Sequence, residues 1–90
     1  MTPLYRPRKY ELVAVHWLDA QHDSSYDGTA EGYEPALASL EDVGFFVKRK
    51  GGILTLASCI ERKTGTVRFL VDIPLKLVSS IETREPKEAV

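Results

Sequence analysis

Ile73-Pro74-Leu75-Lys76-Leu77-Val78 is the stretch that decides the fold. Proline donates no ladder hydrogen bond, so Pro74 closes the strand that runs into it. A single tight turn then fits before a last strand, expected over residues 79–84. Reading back from Pro74, residues 66–73 alternate Val67, Phe69, Val71 and Ile73 against Arg68, Leu70 and Asp72, the period of a half-buried strand. Arg62-Lys63-Thr64-Gly65 reads as the hairpin turn before it. Residues 53–60 form the preceding strand, with Leu54, Leu56 and Ile60 on one face and Thr55, Ala57 and Cys59 on the other. Lys50-Gly51-Gly52 is a tight reversal, because glycine takes positive φ without steric cost. Residues 43–49 are a strand with Val43, Phe45 and Val47 on one face. The expected core joins that face to Val67, Phe69, Val71 and Ile73.

Upstream the signals change. Residues 10–18 are a strand candidate, with Val13, Val15 and Trp17 on one face and Leu12, Ala14, His16 and Leu18 on the other. Both faces are largely apolar, which predicts a strand covered on two sides or one at a subunit contact. Residues 1–9 hold Pro3 and Pro7 and read as an arm solvated by Arg6, Arg8 and Lys9. Residues 20–42 hold the turn-prone Ser24, Ser25, Gly28, Gly32 and Pro35, with one helical turn expected over residues 35–40. Residues 85–90 read as a frayed tail around Pro86. The domain plan is an arm at 1–9, a β domain at 10–84 and a tail at 85–90.

The order is strand, long loop, strand, tight hairpin, strand, hairpin, strand, one turn, strand. It resembles five-stranded barrels of the SH3-like kind, and also Sm-like barrels, which usually begin with a helix that the Pro-containing arm does not supply. The resemblance implies an all-β barrel in which the long first loop and the last helical turn shape a binding face. Paired tyrosines of the SH3 groove are not found, and Ile53 and Leu54 stand where the third strand would begin with Trp, so polyproline recognition is not expected. A second resemblance rests on Val15-His16-Trp17-Leu18-Asp19-Ala20, Val43-Gly44-Phe45-Phe46-Val47 and Asp72-Ile73-Pro74. These look like short proteins encoded by tailed bacteriophages, which implies an accessory protein that binds and inhibits a host component, working in the host cytoplasm.

Ninety residues make one domain with a thin core, since a chain of this size buries only about 60–65% of its unfolded surface. Self-association is the natural way to bury more, and a homo-oligomer is expected. A formal charge of −1 disfavours a dedicated nucleic-acid binder. No apolar run approaches the roughly 20 residues of a membrane span, and no apolar stretch follows the basic N-terminus as in a signal peptide, so a cytoplasmic location is expected. Cys59 is the one cysteine, which excludes an internal disulfide and a cysteine-based zinc site, and its apolar strand predicts a buried thiol.

Two charged surfaces carry the functional expectations. Asp19, Asp23, Asp27, Glu31, Glu34, Glu41 and Asp42 are seven carboxylates with no Lys or Arg among residues 19–42. With Trp17, Tyr26 and Tyr33 nearby, this loop is a candidate surface for a basic protein partner. The adjacent turn with Lys48, Arg49 and Lys50 completes the expected binding site, and these cations alternatively hold a nucleotide-like ligand at a subunit interface, with Arg6, Arg8 and Lys9 added. His16, Asp19, His22 and Asp23 have the residue types of a metal site for a small metal-dependent enzyme. The spacing argues against it: His16 and Asp19 fall on opposite faces of a strand. No phosphate-binding glycine loop or nucleophile elbow occurs, so the expectation is a non-catalytic binding module without a cofactor.

Overall fold

A computed structural model describes residues 3–84. The protein is all-β: β1 (Leu12–Asp19), β2 (Ala38–Lys50), β3 (Ile53–Glu61), β4 (Thr66–Pro74) and β5 (Val78–Thr83) form one antiparallel sheet in the order β4-β3-β2-β1-β5. The turn expected after Ile73-Pro74 is a 3-10 turn, Leu75–Leu77, and Leu75 N–H donates to the Gly52 carbonyl at 2.9 Å. No ladder joins β4 to β5, so the sheet has two edges. It curls nonetheless, because Val13, Val15, Leu54, Leu56, Ile73 and Ile81 form one buried cluster that draws on both edge strands.

Local chemistry explains the curl. Lys50 pairs with Ile53 across Gly51 and Gly52, which sit at φ 60° and 76°, the backbone of a two-residue hairpin. At Gly44, an added Cβ would lie 2.9 Å from the Ala57 carbonyl oxygen, so only glycine lets β2 and β3 approach this closely. Between Phe46 and Lys48 the β2–β3 register shifts, and Val47 is the extra residue of a bulge.

That bulge corrects the expected faces of β2. Val13, Val15 and Trp17 lie opposite Gly44, Asp42 and Leu40, so the even-numbered residues of β2 as far as Phe46 share the core face, and Phe46 packs on the core. Val43 is 52% exposed, while Val47 is buried only because the bulge resets the alternation. The larger correction is Phe69. Its φ of 57° lies in the left-handed region, Ser58 and Phe69 form no bridge although their neighbours pair, and the ring is 78% exposed. Val71 and Ile73 do face the core as expected. Phe69 therefore does not belong to the core in which the alternation had placed it, and truncating it would open no core cavity.

Two further expectations change. Residues 38–40 are strand and not part of a helical turn, because Asp19 pairs with Ala38 and Trp17 with Leu40. Cys59 is exposed and not buried, on the outer face opposite Arg68. Ala14 on that face is fully buried between its cross-strand neighbours Val43 and Glu82, which agrees with a first strand covered on both sides at its middle. The proposed tail, residues 85–90, lies outside the described residues. None of the described residues forms a helix long and apolar enough to cross a membrane.

Candidate functional site

The N-terminal arm builds the site. Leu4 packs on the core cluster. Tyr10 sits at φ 68° and turns the chain, its N–H bonding to the Phe46 carbonyl at 2.7 Å. Glu11 then clamps the arm: its carboxylate accepts from Tyr5 Oη at 2.8 Å and from the Arg8 N–H at 3.0 Å, and also from the Thr83 hydroxyl. The Thr83 hydroxyl, then the Arg8 N–H and the Tyr5 hydroxyl, hold the Glu11 carboxyl below its ordinary value. The same carboxylate raises the Tyr5 phenol above its ordinary value, chiefly because the phenol donates to it. The arm is anchored, not freely solvated as the sequence suggested.

Folded this way, the arm meets the far half of β2 and closes a recess of about 430 Å³, a size suited to a small ligand. Arg6 and Lys9 come from the arm, Lys48 and Arg49 from β2, and Tyr5, Phe46, Val47, Leu54 and Ile81 supply an apolar floor. No carboxylate lines it, and none of the four cations is in an ion pair among the described residues. Lys48 and Arg49 are adjacent on β2 and lie opposite Thr55 and Leu54, so Arg49 shares the face of the apolar floor and Lys48 borders the recess from the outer face. Cations gathered without a carboxylate raise the local potential and attract an anion. Lys50 does not line the recess. Sequence had named Lys48 and Arg49 and attached Arg6 and Lys9 as additions. It missed Tyr5 and Phe46, for which only the aromatic residue type gave a signal.

The acidic loop lies elsewhere. Residues 20–37 leave the sheet at the opposite end of β2, about 30 Å along the strand from Lys48. The loop and the basic turn, expected to be adjacent, stand at opposite ends of β2, because the strand between them runs from Ala38 to Lys50. The loop packs on itself. Tyr26 and Tyr33 meet edge-to-face at 4.9 Å, Tyr26 Oη donates to the Thr29 carbonyl, and Asp23 accepts from Ser25. Asp23, Asp27 and Glu31 are exposed.

Three of the seven carboxylates belong to the sheet. Asp42 Oδ2 accepts from Trp17 Nε1 at 2.8 Å, so Trp17 is a core-packed ring with its polar edge satisfied and no ligand platform. Glu41 lies 3.2 Å from His16 Nε2, and Arg84 bonds Glu82 at 3.0 Å beside them. Asp19 bonds the Ala20 N–H. His16, Asp19, His22 and Asp23 are thus not gathered, and among the described residues no three His, Cys, Asp or Glu are placed to hold a metal.

Family models, curated proteins and solved structures yield no match to this chain.

Proposed function

We propose that this chain is a non-catalytic binding module, built on an SH3-like barrel plan, that holds a phosphate-bearing, nucleotide-like molecule in the recess between its arm and β2. The strand order with a single 3-10 turn before β5, and a core shared by both edge strands, support the barrel plan. The observation that carries the ligand class is a recess bordered by Arg6, Lys9, Lys48 and Arg49 with no carboxylate in its lining. Arginine offers planar paired donors to phosphate oxygens and lysine a mobile point charge. Tyr5 and Phe46 supply ring surface for a base or other apolar moiety. Binding and withholding such a molecule is the mode of action that suits a host-directed accessory protein.

Calorimetric titration with inorganic phosphate, a nucleoside monophosphate and a cyclic dinucleotide tests the reading. Expected is binding that weakens with salt and is abolished in Lys48→Glu/Arg49→Glu, with the nucleotides tighter than phosphate alone. Absence of binding by all three probes at low salt refutes it. The second reading is a basic protein docking on the loop, favoured by four loop carboxylates, Asp23, Asp27, Glu31 and Glu34, on a self-packed frame without one Lys or Arg.

A further inference from the structure

The two edges of the sheet are treated differently. Along β5, the arm residues Pro3, Leu4 and Tyr5 run beside Ser79, Ser80 and Ile81. β4 ends the strand order on the other side with no neighbour among the described residues. An open edge is a template for pairing, and proteins blunt it with charged side chains, especially lysine, with proline, with bulges or with a cover. On β4 Arg68 and Asp72 are charged and the left-handed Phe69 interrupts the pleat. β4 has no lysine, and Pro74 stands only at its end. Instead it displays Phe69 at 78% exposure and Leu70 at 55%. The monomer gives Phe69 nothing in return for a left-handed backbone that bulky residues disfavour.

The outer face of β4 is also self-complementary. Arg68, Leu70 and Asp72 lie opposite Cys59, Ala57 and Thr55, so the three share one face, with a cation and a carboxylate equally spaced about Leu70. Asp72 Oδ1 accepts from Thr55 Oγ1 at 2.7 Å, and its other oxygen is left for a further donor. Leu70 ends a row that crosses the sheet in register through Ala57, Phe45 and Leu12. Two-fold symmetry demands that a residue contacting j in one copy be contacted by j of the other. A pattern with opposite charges mirrored about an apolar centre meets that demand.

The geometry points to a second copy of this chain as the occupant of this edge: two β4 strands meet antiparallel about a two-fold axis at Leu70, so that Arg68 of each copy faces Asp72 of the other. The five-stranded sheet becomes ten-stranded, the two Leu70 side chains meet at the axis, and the exposed Phe69 rings are covered. No residue of β4 lines the arm recess, so the inference stands apart from the ligand proposed for that recess.

Sedimentation of the full chain over a concentration series tests it with charge reversals. The native chain sediments as a dimer at high concentration. Arg68→Asp alone places two carboxylate pairs at the interface and Asp72→Arg alone places two cation pairs. Each weakens self-association by about tenfold or more, because directly opposed like charges destabilise paired strands. Mixing the two variants restores both opposite-charge pairs, so they form a heterodimer more readily than either forms a homodimer. Leu70→Asp is monomeric. Circular dichroism confirms that each exposed-site variant keeps its fold. A native chain that is monomeric throughout, a dimer indifferent to Leu70→Asp, or a mixture that associates no better than its components overturns the proposal.

Discussion

At one end of β2 the chain leaves the sheet as residues 20–37, acidic and held by local contacts: Tyr26 on Tyr33, Asp23 on Ser25, Gly32 on Thr29. At the other end Lys48 and Arg49 meet Arg6 and Lys9 from the arm, above Leu54 and Ile81 of the core. The loop's charge is a property of one segment. The recess's charge is a property of the fold, assembled from two segments that are about forty residues apart in the chain. A charged surface resting on the core should fail when the core fails. One that rests only on itself should survive change without affecting the rest.

The strongest break of this comparison is Leu54→Ala. Leu54 is fully buried and lines the floor of the recess, so truncation costs about 2–5 kcal/mol and lowers the melting temperature while abolishing anion binding. Retention of both would mean that the recess does not rest on the core. A smaller effect is expected from Lys48→Glu/Arg49→Glu. Both side chains are exposed, so thermal stability should move by no more than about 0.5 kcal/mol each, while titration loses the phosphate signal. A large loss of stability would assign these residues a structural role instead.

Acid sharpens the contrast further, because the arm is held by a carboxylate and the loop is not. Glu11 has a folded value below its ordinary 4.5, so its contribution is complete above that pH and fades as the pH falls through the folded value. Tyr5 is displaced upward from 10.0, so its contribution is complete below that pH and fades as the pH rises through the folded value. Between these limits the clamp holds. Fluorescence or amide exchange of the arm against pH should show release at the acid end in the native chain and at neutral pH already in Glu11→Gln. An arm equally protected in Glu11→Gln at neutral pH would remove the clamp from the account.

The smallest effect is expected at the loop. Replacing Asp23, Asp27, Glu31 and Glu34 by their amides should leave the melting temperature and the recess affinity close to native. Exposed charges act over only about 8–10 Å near physiological salt, well short of the strand that separates the two ends. Amide exchange should find the loop less protected than Leu54 and Leu56 in β3. Loop protection equal to that of β3, or a changed recess affinity in the amide variant, would show that the loop folds back onto the domain.

Local signals were enough to place five strands and the turns between them. Gly51-Gly52 set a hairpin because both residues take positive φ, and Pro74 closed β4 because it has no N–H. The buried Leu54 and Leu56, and Ile73 before the proline, followed from period-two alternation. Alternation failed where the backbone departs from a regular pleat. The bulge at Val47 shifts the inward set of β2, and the left-handed Phe69 turns its ring outward; neither carries a residue that announces it. The start of β2 at Ala38 was hidden for a similar reason, since pairing with Asp19 overrides the turn-forming bias of the residues before it. The cations of the recess were each visible as residues. Their gathering around one recess was decided only by the arm, which the Glu11 clamp and the Leu4 contact carry back across the curled sheet, because nothing local in a Pro-containing segment specifies where it comes to rest.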